Sequence, residues 1–382
     1  MSEHKTRVGI LFGGRSGEHE VSLMSARSVM NAIDRELYEV VSIGISKDGR
    51  WLVGEDVMGY LTSEAGEAAT ADLRATRAAL LGEPGHRALM ALNDGDGDHA
   101  LAAHELAELE VVFPVLHGPF GEDGTVQGLL ELAEIPYVGA GVVGSAVGMD
   151  KGIFKAVMES LSLPVLPYRV VLRSEWDRDP EGVMDAVEAA LSYPMFTKPV
   201  NMGSSVGVSK VTNREELAAG LADAAKYDRR LLVEKGINAR EIEVSVLGND
   251  EPIASVPGEI IPDEAFYSYA SKYLNDASEL LIPAPISEEL AEQVRDLAVR
   301  AYKAIDCAGL ARADFLLDKE DETLYINELN TIPGFTHISM YPKLWEASGI
   351  SYPELIHRLI QLALERDAEK RRSATSYDPG EG

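Results

Sequence analysis

Apolar residues fall along this chain in runs and in helical spacing, and the two patterns divide it into elements. Residues 8–12 form a short apolar run that ends at Gly13-Gly14. A buried strand and a glycine turn are expected there, then a helix through about residue 33 and a second strand over 38–45. This βαβ opening predicts a parallel sheet. Residues 109–116 and 135–138 read as further apolar strands, whereas 55–107 carry weaker patterns rich in Ala, Gly and Asp and read as a variable insertion.

After residue 149, Ile153, Phe154, Val157, Met158 and Leu161 recur at helical spacing, with Asp150 placed to cap the helix. Strands are expected over 194–200, 207–211, 230–235 and 240–247, and helices over 181–191 and 214–225. A long amphipathic helix is expected over 287–305, with Leu290, Val294, Leu297, Ala301 and Ile305 on one side. Ser287 followed by two glutamates suits its start. A last helix covers 352–365, and the charged tail over 367–382 is expected to be disordered. No internal repeat is visible.

Composition narrows the class. The 382 residues are 46% hydrophobic and 26% charged, as expected for a soluble globular chain of two or three domains. A net charge of −28 argues against nucleic acid or an anionic membrane as a partner held by bulk charge. The lone cysteine, Cys307, lies in an apolar, strand-like stretch and reads as a core thiol. The first residues do not form a signal peptide and no apolar run is long enough to cross a bilayer, so a cytoplasmic protein is expected.

Several segments carry chemistry. In two strand-like pieces, Arg312 and Asp314 are two apart, as are Glu328 and Asn330. Residues two apart on a strand share a face, so a strand pair would present a cation, two carboxylates and an amide together. Such oxygens suit magnesium, and the arginine suits a substrate anion or an oxyanion. Polar residues on the wet face of a sheet give the same pattern. Lys198 ends a strand before Gly203-Ser204-Ser205, a turn whose N–H groups could cradle phosphate, although a plain hairpin fits as well. Glu234-Lys235 closes a strand edge that could pair with adenine, with Glu241 nearby for a ribose hydroxyl; an exposed hairpin end is the alternative.

Gly13-Gly14-Arg15-Ser16-Gly17-Glu18-His19-Glu20 departs from the dinucleotide fingerprint. Glu18 or Glu20 could bind an ammonium or favour a helix dipole. His117 follows a buried strand, at the end where α/β sheets bind ligands. Asp94 to Asp98 imitates a calcium loop but has His99 where the sharp turn needs glycine.

In order along nearly the whole chain, these motifs resemble the D-alanine–D-alanine ligases of the ATP-grasp superfamily. The resemblance rests on Gly13-Gly14-x-Ser16-x-Glu18-His19-Glu20, His117-Gly118 with Gly121-Glu122-Asp123-Gly124, and Met149-Asp150-Lys151. It continues through Lys198-Pro199, Gly203 to Gly207, Glu234-Lys235 and Tyr267-x-Tyr269-x-x-Lys272-Tyr273. Arg312-x-Asp314 and Glu328-x-Asn330-Thr331-x-Pro333-Gly334 complete it.

The resemblance implies an α/β fold, α+β in its ATP-grasp part, with three domains: 1–149, 150–238 and 239–366. It implies ATP-dependent joining of two D-alanines through an acyl phosphate, for peptidoglycan precursors. ATP would meet Lys151, Lys198, Ser204 and Ser205, with Glu234, Lys235 and Ile237 at adenine, Glu241 at ribose, and Lys272 and Asn327 also in contact. Asp314, Glu328 and Asn330 would hold two magnesium or manganese ions, and a monovalent cation such as potassium is compatible. Arg312 and the Gly334 N–H would stabilise the oxyanion. Glu18 and His117 would bind the first D-alanine, and Lys272, Ser339 and Met340 the second. Tyr273, in a lid over 267–275, would close toward Glu18 and Ser204 and favour a dipeptide over a D-lactate ester. A homodimer through the N-terminal domains is implied. The alternatives are a D-alanine–D-lactate ligase, another ATP-grasp carboxylate–amine ligase, or a non-catalytic nucleotide-binding relative.

Overall fold

The computed structural model describes residues 4–62, 75–93, 102–261 and 279–374. The first sheet is built from β1 (Thr6–Gly13), β2 (Tyr38–Ile45), β3 (Trp51–Gly54), β4 (Ala75–Leu80), β5 (Ala88–Asn93), β6 (Ala102–Glu108) and β7 (Val111–Val115), in the order β6-β5-β4-β3-β2-β1-β7. Helices α1 (His19–Ala32), α2 (Val57–Thr62), α3 (Thr125–Leu132) and α4 (Val142–Met149) accompany it. β1 is buried on both faces, with Val8, Ile10 and Phe12 in one core and Leu11 in another. Two-sided burial is why this strand reads as an unbroken apolar run.

The expected parallel sheet is mixed: β1 runs parallel to β2 and β7, but β3 to β6 are antiparallel. Most of β4, β5 and β6 falls in the stretch 55–107, which therefore extends this same sheet, with α2 beside it. Its strands are rich in alanine, so their alternation is shallow. The acidic residues Asp94 to Asp98 lie outside the described residues. The strand expected over 135–138 reduces to one parallel bridge, Val112 to Tyr137.

A second, antiparallel sheet follows α5 (Lys151–Ser160). It contains β8 (Tyr168–Leu172), β9 (Met195–Pro199), β10 (Ser209–Val211) and β11 (Arg230–Lys235), ordered β10-β9-β11-β8. Its apolar residues pack with α7 (Pro180–Ala190) and α8 (Arg214–Ala224), while α6 (Arg173–Arg178) links β8 to α7. Asp150 caps α5 by accepting from the Ile153 N–H at 2.8 Å, as expected.

The third sheet holds β12 (Ala239–Gly248), β13 (Ile253–Ala254), β14 (Gly258–Ile261), β15 (Glu279–Leu281), β16 (Gly309–Asp318) and β17 (Leu324–Asn330). One face packs under α9 (Glu288–Ala304): Ile242, Val244, Ala311, Ala313 and Phe315 meet Val294, Leu297 and Tyr302. Cys307 is buried in the turn before β16 rather than in a strand, and burial pushes its thiol up to about 12. Helices α10 (Met340–Ala347) and α11 (Tyr352–Lys370) end the described fold.

α11 returns to the first sheet, where Leu355, Ile356, Leu359 and Ile360 join the core of Val8, Ile10 and Phe12. It runs past the expected end at 365, so the first residues of the expected disordered tail are helical. Arg366 stabilises that extension by stacking on the Tyr137 ring at 4.5 Å and donating to the Tyr137 carbonyl at 3.0 Å.

Candidate active site

The polar face of the third sheet, opposite α9, forms one wall of a cleft. β16 alternates: Ala311, Ala313, Phe315 and Leu317 are buried, while Arg312, Asp314 and Leu316 face away. β17 cannot follow suit without interruption. Leu324 and Ile326 belong to the core, so an even strand would bury residue 328 as well. Asp314 pairs with Glu328 and Phe315 with Ile326, which leaves Asn327 as the extra residue of a β-bulge. The bulge reverses the alternation, turning Glu328 and Asn330 to the cleft and Leu329 to the core.

The expected cluster therefore assembles. Arg312 grips Asp314 in a fork, Nε to Oδ1 and Nη2 to Oδ2, both at 2.7 Å. The Asn330 amide donates to Asp314 Oδ2 at 2.9 Å. Lys151 Nζ lies 3.4 Å from Glu328 Oε2 and donates to the Met202 carbonyl at 2.9 Å.

Glu18 arrives from the start of α1, where the Ser16 hydroxyl accepts from its N–H at 3.2 Å. Ser204 donates to the Glu18 carboxylate, joining the glycine-rich loop to the start of α1. Ser204 and Ser205 both adopt left-handed backbone, φ 50° and 57°. Two glycines make room for Glu18: a Cβ on Gly118 would stand 2.8 Å from Glu18 Oε2, and one on Gly203 3.0 Å. Glu20 pairs instead with Lys47 at 2.6 Å on the surface, which separates the two glutamates left open by the sequence.

His117 is buried. Its Nδ1 contacts the Ile332 carbonyl at 3.0 Å and its Nε2 the Ser25 hydroxyl at 3.1 Å. Burial alone would lower its pKa, but Glu122, 3.9 Å from Nδ1, and Glu18 outweigh it and hold the imidazole above its ordinary 6.5. Gly334 also lines the cleft, and Ser339 is its neighbour, with Oγ 3.1 Å from where a Gly334 Cβ would stand.

Beneath the second sheet lies a buried charge cluster. Glu234 Oε2 meets Lys198 at 2.6 Å, and Oε1 meets Lys155. Burial works against the Glu234 carboxylate, yet the two ammonium groups hold its pKa below the carboxylate norm. Burial lowers Lys155, whereas Glu234 more than offsets burial at Lys198 and raises it. Lys155 was not singled out from sequence, although it lies four residues from Lys151 on the same helix face. Glu243 was also missed, although it sits two residues from Glu241 and so shares its face. Glu122, which accepts from the Gly118 N–H at 2.9 Å, has no sequence signal for its role beyond its place in Gly121-Glu122-Asp123-Gly124.

Other expected residues lie off this centre. β11 is paired on both sides through Glu234, so it is an interior strand rather than a sheet edge. Only beyond Lys235 does the chain leave the sheet, past the half-buried Ile237. Glu241 is half-buried on β12 and Asn327 half-buried at the bulge. Met340 packs against Ile260 and Leu344, so its side chain serves a core. Lys272 and Tyr273 lie outside the described residues.

A family model described as D-ala D-ala ligase N-terminus matches residues 7–140, and one described as D-ala D-ala ligase C-terminus matches 157–361. The chain belongs to the D-alanine–D-alanine ligase family. It is 52% identical over 375 residues to the D-alanine--D-alanine ligase of Heliobacterium modesticaldum, covering 98% of this chain and 99% of that one. The enzyme of the same name from Natranaerobius thermophilus is 50% identical over 373 residues, covering 98% and 99%. Among solved structures, the D-alanine-D-alanine ligase from Coxiella burnetii superposes with a TM-score of 0.80 at 36% identity, covering 96% of each chain. The VanG D-Ala:D-Ser ligase from Enterococcus faecalis gives 0.81 at 32%, covering 94% of this chain and 100% of that one. The chain is thus an ATP-using ligase of ATP-grasp architecture. No helix among the described residues is long and apolar enough to cross a membrane.

Proposed function

We propose that the enzyme joins two D-alanine molecules into D-alanyl-D-alanine, with ATP converted to ADP and phosphate, for cell-wall precursor synthesis. The observation that carries this reading is that Glu18, His117, Lys151, Ser204, Arg312 and Glu328 line one cleft. A carboxylate, a lysine and an arginine around one space suit an ammonium, a phosphate and an oxyanion in turn.

In the first step, the carboxylate of one D-alanine attacks the γ-phosphorus of ATP, forming an acyl phosphate as ADP leaves. Glu18 holds that substrate's ammonium, with His117 beside it. Lys151 and Lys198 neutralise phosphate charge, and the turn at Ser204 and Ser205 supplies backbone donors. Glu234, Lys235 and Ile237 border adenine, Glu241 the ribose, and Asn327 the nucleotide. In the second step, the amine of the other D-alanine attacks the acyl carbonyl and phosphate departs. Arg312 and the Gly334 N–H face the oxyanion. Lys272, Ser339 and the Met340 backbone hold the acceptor, and Tyr273 favours an amine acceptor.

Asp314, Glu328 and Asn330 form an all-oxygen donor set once the Asn330 amide turns its oxygen inward, and such a set fits a hard divalent cation. Those three residues would hold magnesium or manganese, and the ion would supply positive charge to offset that of the phosphates. We further assign residues 1–149, 150–238 and 239–366 as the three domains, a homodimer as the assembly and the cytoplasm as the compartment. A potassium ion near the phosphates is compatible with this site.

Acceptor choice is the discriminating test, and similarity to a D-Ala:D-Ser ligase makes D-serine a required comparison. Product analysis with Mg-ATP, D-alanine and an excess of D-lactate or D-serine near neutral pH should yield D-alanyl-D-alanine as the main product. Dominant ester or D-alanyl-D-serine would overturn the acceptor assignment.

A further inference from the structure

Asp314 has two roles to reconcile. Its oxygens accept from the Arg312 guanidinium at 2.7 Å and from the Asn330 amide at 2.9 Å. Under the proposed function, those same oxygens turn to a divalent cation. A guanidinium fork and a metal compete for the same lone pairs. The arginine must release Asp314 without becoming a half-buried cation that lacks an anion, which is costly.

A second carboxylate stands where that exchange needs one. Glu243 on β12 is directly opposite Asp314 on β16, and its Oε2 lies 3.0 Å from Arg312 Nε. It is only 6% exposed, so water contributes little to its solvation. Carboxylates placed opposite each other on neighbouring strands repel, and burial sharpens the repulsion. Packing alone gives no reason for a charge here: the next pair on the same face of these strands sets an uncharged Ser245 against Arg312. Arg312 is the cation that both carboxylates share, and at present it is closer to Asp314.

We infer that Glu243 is a positioning residue for Arg312. When Asp314 turns to the metal, Glu243 becomes the anion that keeps the guanidinium charged, anchored and aimed into the cleft. The exchange moves an ion pair from one strand to the next and transfers no proton. It couples metal binding to the placement of the oxyanion-binding arginine. The inference rests on the assignment of Asp314 to the metal site.

The test needs no turnover. The Kd of a non-hydrolysable ATP analogue is measured by calorimetry with Mg2+ and with EDTA, without D-alanine. The ratio of the two values is the metal's contribution to binding. Asp314→Asn should collapse that ratio. Glu243→Gln should lower it about tenfold while leaving the EDTA value in place. Glu243→Asp retains the charge but withdraws it from Arg312, and it should behave like Glu243→Gln. In an Arg312→Gln background, Glu243→Gln should cause no further fall.

An unchanged ratio in Glu243→Gln overturns the inference. So does a wild-type ratio in Glu243→Asp, or an equal fall with and without Arg312, because either would mean that the carboxylate attracts the metal directly. Thermal melts establish that each variant is folded, and Glu243→Asp decides alone if the Arg312 background does not fold. An intact ratio in Asp314→Asn sinks the metal assignment and this inference together. A collapsed ratio there beside silent Glu243 variants sinks this inference only.

Discussion

Under the proposed function, Arg312 is the residue on which the second chemical step depends most. It is a cation at the cleft wall, held by Asp314 and near Glu243. Replacing it by methionine should reduce kcat by about 10² to 10³, the effect of losing one preorganised oxyanion donor. Steady-state kinetics checks this: a change confined to KM would place Arg312 in substrate binding instead. His117 makes a different prediction. Its folded pKa lies above the ordinary 6.5, so the protonated form gains stability from Glu122 and Glu18. That contribution is complete below about pH 6.5 and fades as pH rises through the folded pKa. The melting-temperature gap between wild type and His117→Asn should therefore be widest near pH 6 and narrow toward about pH 9. A gap that widens with pH would mean the ring is stabilised neutral.

At the scale of elements, the bulge at Asn327 is what lets Leu324, Ile326 and Leu329 face the core while Glu328 and Asn330 face the cleft. Deleting Asn327 would set Glu328 directly after Ile326, so even alternation would itself keep Glu328 and Asn330 on the cleft face, and ligation should persist at a reduced rate. A deletion variant that melts as a folded protein but has lost ligation would refute the role given to the bulge. The cap of α5 is a smaller effect. Asp150→Ala removes the bond to the Ile153 N–H and the partner of Arg230, and should cost about 1 to 2 kcal/mol in chemical denaturation. The sequence carried strong signals for β1, α5, β11, α9 and β16, because each has a sharp apolar period or a recognisable cap. It also placed Arg312, Asp314, Glu328 and Asn330 on one side, because two-residue spacing survives within each strand. It could not reveal the bulge, since register is set by the partner strand. Nor could it reveal β4 to β6, whose alanines contrast weakly with their neighbours, or the last turn of α11, which depends on Arg366 meeting Tyr137 from far away in the chain.

At the scale of the molecule, two properties stand out. The net charge of −28 implies self-repulsion that salt screens. Melting temperature should rise as NaCl increases from low ionic strength to about 0.15 M, where the screening length falls to about 8 Å. A flat or falling response would mean that local ion pairs such as Arg230–Asp150 and Arg240–Glu259 dominate instead. The second property is connectivity: α11 packs on the first sheet, and the Ser204–Glu18 bond ties the glycine-rich loop to the start of α1. The cleft is therefore assembled from the two ends and the middle of the chain. The central claim is that this cleft activates a D-alanine carboxylate by phosphorylation. The measurement is the fate of 18O when the enzyme turns over Mg-ATP with D-alanine labelled in its carboxylate. The account predicts one 18O atom in each phosphate released, alongside one dipeptide. Unlabelled phosphate accompanying dipeptide would contradict it.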